Sequence, residues 1–414
     1  MTKKKLLFIR GGIHKEFAYK TFFRKNYEMI MMDTPSCDQL AIADYPYIIS
    51  NNRDINEMFD LSLEIYRTKG FDGVCTFMNS PVITIGMLSD YFGFDYFNEK
   101  IARILCNKYE VRKFLKSIGD DSIKFFKICN YEDLEKCADI LNYPFILKPT
   151  DNASSKGVVI VKKPDELESS YKFSLNSSFN KELIAEEFIY GDEYCAEVLI
   201  YNYQPYVVAI SKKYVTAEKY CIELIDITPA PITDELRIKI ANYISDTIAK
   251  FKIGNWILHI EFKINDNYQP LIIEINPRAA GGNLIESIYH LKGLNLYDYF
   301  FDIVLKNEIN LEKLIMQIQK PYTKYSLFYT FINPTKSGVI KKIEGIENVR
   351  NKFINDSERL ILFYNEGDFL PEPTSNLEFR GSLYLFGNDS NFLFERAKEI
   401  ENLIHYDFER GLSL

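Results

Sequence analysis

Residues 254–282 read GNWILHIEFKINDNYQPLIIEINPRAAGG, and their acidic and amide side chains are spaced to hold a hard cation. Two runs of period-two alternation flank residues 266–269, which predicts a β-hairpin with a four-residue loop. In that register Leu258, Ile260, Phe262 and Ile264 share the core face with Leu271, Ile273 and Ile275, while His259, Glu261, Glu274 and Asn276 take the other face. Glu261 then sits opposite Glu274, and like charges opposed on a sheet destabilise it unless something positive lies between them. Oxygen donors without a Cys or His cluster suit Mg2+ or Mn2+. Mg2+ binds one or two carboxylates and completes its shell with water and substrate phosphates, so a nucleotide is implied too. The plainer reading, a solvated sheet edge with one Glu exposed, loses weight because Asn276 and Arg278 follow.

A nucleotide needs cations for its phosphates, yet no GxxxxGK[ST] segment is present and a P-loop is excluded. Lys148 instead ends the apolar strand FIL and precedes PTDNASSKGV, which turns back into VVIV. There Ser154, Ser155, Lys156 and Gly157 offer backbone N–H groups, hydroxyls and a charge on a hairpin that can close over phosphates. By itself that segment is equally an ordinary surface turn. LIAEEFIYGDEY supplies a third part: the strand end Glu186, Glu187, Phe188 and Ile189 offers an apolar slot with backbone hydrogen bonds for a purine. Glu193, past the turn at Gly191, is placed to accept from ribose hydroxyls, although a strand with acidic ends would look the same.

The elements that must position these groups are α/β and α+β. In residues 1–105, apolar runs at 6–10, 27–33, 45–50 and 73–77 alternate with helical patterns, which predicts βαβ units and a parallel sheet. Gly11 and Gly12 follow the first strand without a GxGxxG continuation and read as a turn. A second unit, 106–307, begins within a helical stretch over 101–118. It contains a small lid subdomain at about 120–185, a helix from 234 to about 251 and the acidic hairpin. Residues 308–414 form a small C-terminal α+β domain with a final helix near 392–404.

Of the 414 residues, 47% are hydrophobic and 26% charged, which excludes a disordered or collagen-like chain. A net charge of -8 supplies no basic field for nucleic acid. The apolar residues 6–9 are too few for a signal peptide, and no apolar run is long enough to span a membrane. Seven scattered cysteines with no CxxC pair fit neither a disulfide framework nor a zinc site, and favour a cytoplasmic protein.

In order and spacing, these parts resemble the ATP-grasp superfamily: a strand ending in Lys-Pro, a Ser/Gly-rich loop, an EExx hinge, and Glu followed thirteen residues later by Glu-x-Asn-x-Arg. The resemblance implies an ATP-grasp fold behind an N-terminal parallel-sheet domain. It implies Lys108 and Lys148 as phosphate lysines, Glu186 to Ile189 as the adenine hinge and Glu193 at the ribose. Glu261, Glu274 and Asn276 become metal ligands, and Arg278 stabilises charge on an acyl phosphate and its tetrahedral successor. The C-terminal stretch EGDFLPEPTSNLEFRGSLYLFGNDSNFLFERAKEIENLI is similar to that of the carboxylate-amine ligases of the L-amino-acid ligase group. TAEKYCIELIDITP resembles that group's substrate loop, with Glu223 at the matching Glu but Asp226 where a His is usual. Gly281 and Gly282 stand where some relatives carry a bulky aromatic, which implies a roomier acyl pocket.

The resemblance implies a Mg2+- and ATP-dependent ligase that joins a small carboxylate to an amine through an acyl phosphate, releasing ADP and phosphate. A homodimer through the aromatic-rich N-terminal domain is compatible with it. The alternatives are a carboxyphosphate-forming enzyme of the carboxylase type and a nucleotide-binding protein without turnover.

Overall fold

Four short apolar strands open the chain: β1 (Lys5–Ile9), β2 (Glu28–Asp33), β3 (Tyr45–Ile48) and β4 (Gly73–Cys75). They pair in parallel in the order β3-β2-β1-β4. Leu6 to Ile9 are fully buried, as a central parallel strand covered on both faces requires. The computed structural model describes residues 3–12, 15–120, 122–216, 219–331, 337–355 and 357–409. Gly11 lies in the irregular segment after β1, with its N–H on Asp33 Oδ2 at 2.9 Å, and a Cβ there would lie 2.6 Å from the Tyr19 hydroxyl.

The helical stretch expected over 101–118 is two helices, Glu99–Leu105 and Lys108–Ser117. Asn107 breaks it: its side chain accepts from the N–H groups of Tyr109 and Glu110, an N-cap that starts a helix rather than continuing one. Lys108 is thereby the first residue of the new helix, at the edge of the central cleft.

A second, antiparallel sheet contains β5 (Phe125–Ile128), β6 (Phe145–Pro149), β7 (Val159–Val161) and β8 (Leu183–Glu187), in the order β5-β8-β6-β7. Helices Tyr131–Leu141 and Leu167–Ser177 cover it, and it has its own core around Phe145, Leu147 and Leu183.

The large sheet draws on β9 (Asp192–Tyr201), β10 (Gln204–Val215), β11 (Glu223–Thr228), β12 (Trp256–Ile264) and β13 (Pro270–Asn276). Later come β14 (Tyr325–Phe331), β15 (Gly338–Glu344), β16 (Arg359–Leu362), β17 (Phe369–Leu370), β18 (Gly381–Gly387) and β19 (His405–Phe408). Among the described residues the order is β13-β12-β9-β10-β11-β14-β18-β16, with β17-β15-β19 as a separate small sheet. Three strands after residue 308 therefore extend the sheet that carries the acidic hairpin.

Period-two alternation gives this sheet two unlike faces. Val198, Ile210, Leu258, Ile260 and Phe262 lie in the main core. The opposite face is polar. Cross-strand partners Glu197 and His259, Glu261 and Glu274, and Lys213 and Asp226 all line the cleft or contact a residue that does. One sheet thus holds the fold together with one face and carries the chemistry on the other. No helix among the described residues is long and apolar enough to cross a membrane, and the seven cysteines are free.

The hairpin register is as expected at the site, with Glu261 opposite Glu274 and His259 opposite Asn276. It shifts between Glu261 and Phe262, so Phe262 pairs with Ile272 and Ile273 is the extra residue of a bulge. Ile272 is 1% exposed and takes the core position expected for Ile273, which lines the cleft instead. Arg112 supplies a physical reason, because its guanidinium donates to the carbonyls of both Ile272 and Ile273, which a regular strand would point in opposite directions. The loop is also one residue longer, 265–269, closed by Asn265, whose side chain accepts from the N–H groups of Asn267 and Gln269.

Candidate active site

The polar face, the small sheet and the N-terminal sheet enclose a cleft of about 1970 Å³. Eighteen of the nineteen residues expected from sequence line it: Lys108, Lys148, Ser154 to Lys156, Glu186 to Ile189, Glu193, Glu223, Asp226, Glu261, Glu274, Asn276, Arg278, Gly281 and Gly282. Gly157 does not. Its carbonyl accepts from Ser174 Oγ at 2.7 Å, and a Cβ there would lie 2.6 Å from Ser177 and 2.8 Å from Pro149, so it lets the loop pass close to a helix.

Charge balance at the opposed glutamates differs from the sequence expectation. Lys213 Nζ lies 3.1 Å from Glu261 and His259 Nε2 lies 3.4 Å from it, while Lys108 Nζ lies 3.2 Å from Glu274. The positive charge between the carboxylates is thus supplied by side chains of the chain itself, and their opposition alone does not require a metal. Burial would raise the Glu261 carboxyl, but Lys213 and His259 more than offset this and hold it well below the usual range. His259 is anchored by Glu197 at 2.5 Å. Burial disfavours its charge, yet Glu197 and Glu261 raise it to about 9. A hard cation still fits. Glu261 and Glu274 are partly open to the cleft, and Asn276 Oδ1, which accepts from Asn79 Nδ2 at 2.8 Å, keeps a second lone pair. Among the described residues no three His, Cys, Asp or Glu side chains are grouped to hold a metal, so phosphates and water would complete the shell, as Mg2+ prefers.

Lys213 is the centre of the cluster and was not singled out from sequence. It also reaches Glu223 at 3.0 Å and Glu193 at 3.9 Å. Asp226, its neighbour across the β10–β11 ladder, has its carboxyl raised well above the usual range by burial and by Glu223. Burial and Glu223 thus oppose the added negative charge that the sequence suggested here. The available signal was in β10, where SKK interrupts an apolar strand and places Ser211 and Lys213 on one face.

On the small-sheet side of the cleft, Lys148 Nζ lies 2.7 Å from Glu186, whose other oxygen takes Arg112 Nε at 2.8 Å. Burial favours the neutral acid, but the two cations prevail and lower Glu186 to about 2. The Glu187 backbone N–H donates to the Lys124 carbonyl and its side chain accepts from the Lys124 N–H, both at 3.0 Å. Of the expected hinge, Phe188 and Ile189 line the cleft beyond this pairing. Lys263 lies over the Phe188 ring and donates to the Ile189 carbonyl at 3.0 Å. The Ser154 carbonyl accepts from the Asn376 N–H at 3.1 Å, and Asn376 Oδ1 accepts from the Glu223 N–H at 2.9 Å. Asn376 thus ties the 154–157 loop to the start of β11, a link between distant segments that sequence spacing does not reveal.

Arg278 is held from three sides. Trp256 Nε1 donates to the Pro277 carbonyl at 2.9 Å, and the Arg278 N–H closes on the Asn276 carbonyl at 2.8 Å. Its Nε donates to Asn79 Oδ1 at 2.8 Å. Asn79, in the segment after β4, therefore bridges Asn276 and Arg278 with its two amide atoms. Asn79→Ala is expected to lower kcat by roughly ten- to a hundredfold, the range for losing an orienting partner of a ligand, with KM for ATP within about threefold of wild type. An unchanged kcat would remove Asn79 from this role.

The fold and the site define a class, nucleotide-binding enzymes whose acidic hairpin and lysine-bearing small sheet face each other across a cleft. Residues 141–287 match the ATP-grasp domain family. The L-arginine-specific L-amino acid ligase of Bacillus subtilis is 24% identical over 366 residues, 87% of this chain and 84% of that protein. The alanine-anticapsin ligase of Bacillus subtilis (strain 168) is 25% identical over 306 residues, 66% of this chain and 64% of that protein. The crystal structure of an L-amino acid ligase from Bacillus licheniformis shares the fold, with a TM-score of 0.84 at 21% identity over 99% of this chain and all of that one. Residues 141–287 thus carry an ATP-grasp domain, and the chain is an ATP-dependent carboxylate-amine ligase.

Proposed function

We propose that the protein joins the carboxylate of an amino acid, or of a related acid, to an amine through an acyl phosphate. The observation that carries this reading is the end of one hairpin. There Glu261, Glu274, Asn276 and Arg278 face a single cleft with Lys108 and Lys148. Relatives named as ligases of L-amino acids and of alanine with anticapsin support it.

Lys108 and Lys148 would neutralise the ATP phosphates as their partners Glu274 and Glu186 share them, and the 154–157 loop would exclude water from the acyl phosphate. Glu261, Glu274 and Asn276 would hold Mg2+, which supplies charge neutralisation at the transferring phosphoryl group. Arg278 steadies the carboxylate during its attack on the γ-phosphate and then the oxyanion formed when the amine attacks the carbonyl. The first step breaks the bond from the γ-phosphorus to ADP, which leaves; in the second the amine's proton passes to the departing phosphate as the acyl–phosphate bond breaks and inorganic phosphate leaves. Glu223 and Asp226 border the substrate end of the cleft, and the protein is read as cytoplasmic, with a homodimer compatible with its N-terminal domain.

Gly281 and Gly282 leave the substrate wall open. A Cβ on Gly281 would meet nothing within 4 Å, whereas Gly282 has φ +56 and faces the Phe328 ring. Gly281→Phe is expected to fold normally and to cut kcat/KM for bulky acids by roughly 10-fold or more relative to alanine, about 1.4 kcal/mol of lost fit. An unchanged ranking of acids would place the pocket elsewhere.

The test is ADP and phosphate release across pairs of amino acids, and with bicarbonate alone. Turnover that needs a carboxylate and an amine together supports the reading. Turnover with bicarbonate alone would overturn it in favour of carboxyphosphate chemistry.

A further inference from the structure

Lys15 lies just before the helix Glu16–Arg24 and is 5% exposed, yet it lines the same cleft as Arg278. Its Nζ donates to the Ala280 carbonyl at 2.6 Å and lies 3.4 Å from the Tyr297 hydroxyl. Arg278 Nη1 donates to the carbonyl of Ala279, the residue before Ala280, at 2.9 Å. Two cationic heads are thus pinned to consecutive carbonyls of one short segment. Among the described residues neither has a carboxylate within ion-pair distance. Glu197, the nearest source of negative charge, is already engaged by His259 at 2.5 Å and by the Ala280 N–H at 3.2 Å. A buried cation without a counter-ion carries a standing cost, which an anion supplied by the substrate would offset.

We propose that Lys15 and Arg278 form a two-cation cradle for a substrate carboxylate, so that Lys15 is a second substrate-binding residue contributed by the N-terminal domain. The proposal rests on the ligase reading above. Its chemistry requires a carboxylate that enters with a full negative charge and stays desolvated during reaction, a requirement one guanidinium already tied to Asn79 meets only in part. A lysine that served only to brace the Ala280 carbonyl would need no such neighbour. Burial and the Arg278 charge bring the ammonium of Lys15 down to about 7, against the opposing pull of Glu197 on β9 and Glu16 on its own helix. Tyr297, the remaining titratable group at hand, is kept protonated by burial. Only protonated Lys15 attracts an anion, so carboxylate binding is full below pH 7 and weakens as pH rises through that value in the free protein.

The experiment compares wild type, Lys15→Met and Lys15→Arg by ADP release, using an amino acid or its amide as the amine. Lys15→Met is expected to raise KM for a carboxylate substrate at least tenfold while leaving KM for ATP unchanged. Lys15→Arg is expected to match wild type near pH 6.5. Above pH 7 its kcat/KM should gain on wild type by up to tenfold per pH unit, because guanidinium keeps its charge. If the Lys15→Met defect disappears with the amide, the cradle holds the carboxylate of the amine donor; if it persists, the cradle holds the carboxylate that is phosphorylated. Wild-type turnover of amino acids with both KM values unchanged in Lys15→Met would overturn the proposal, even if thermal stability fell. Wild-type turnover of bicarbonate alone would overturn the ligase reading separately. Lysine-labelled NMR provides a readout without turnover: saturating L-alanine should move the Lys15 titration to higher pH, and an unmoved titration would count against the cradle.

Discussion

Glu274→Gln is expected to lower ATP turnover by about a hundredfold or more while the protein remains folded. The substitution keeps the shape of the side chain and removes one of the two carboxylates available to a cation, an interaction worth several kcal/mol at a transferring phosphoryl group; about 3 kcal/mol corresponds to roughly a hundredfold. Glu274 is a cleaner probe than Glu261. Lys213 and His259 both lean on Glu261, so its loss would take a partner from two buried cations at once and disturb the sheet. Among the described residues Glu274 makes one ion pair, with Lys108, partly exposed and contributing about 1 kcal/mol or less to stability. The melting temperature should therefore stay within a few degrees of wild type. Turnover should recover in part at high Mg2+ if the defect lies in holding the ion. Unchanged turnover at low Mg2+ would remove Glu274 from the metal site.

What sequence spacing revealed and what it missed divide along a physical line. Period-two alternation identifies a strand with one apolar face, and it correctly paired Glu261 with Glu274, because register is strongly specified where one face is buried. It could not show the bulge at Ile273, because that bulge answers to Arg112, a residue 161 positions away in sequence. Order, spacing and the resemblance singled out Lys108 and Lys148, which both line the cleft, whereas Lys213, Asn79 and Lys15 were not singled out. Each of these three acts by reaching across elements: Lys213 to three other strands or their ends, Asn79 from the N-terminal sheet to the end of β13, and Lys15 from the start of a helix to Ala280. Asp226 shows the same limit in its charge. As a letter it is an anion, but burial and the neighbouring Glu223 push its carboxyl well above the usual range. Composition cannot supply that, because the proton belongs to the pair and its surroundings.

Arg278→Ala is expected to spare ATP binding and to slow the chemical step. None of its hydrogen bonds reaches a lysine that faces the phosphates. It is anchored through Asn79 and Ala279, so removing it leaves Lys108 and Lys148 in place. If its guanidinium stabilises the oxyanion, the loss should be about 2.7–4 kcal/mol, or 10²–10³ in kcat, the range for deleting one preorganised donor. Lys at this position separates charge from geometry, since an ammonium is a compact point charge without the planar fork that lets Nε bind Asn79 while Nη1 binds Ala279. Arg278→Lys should therefore recover only part of the rate, with KM for ATP unchanged in both variants. Single-turnover measurements place the defect: a slowed ADP burst assigns Arg278 to acyl-phosphate formation, and a normal burst followed by slow release of the amide assigns it to attack by the amine. A large loss of ATP affinity with an unaltered burst at saturating nucleotide would instead move Arg278 from the reacting carbonyl to the phosphates.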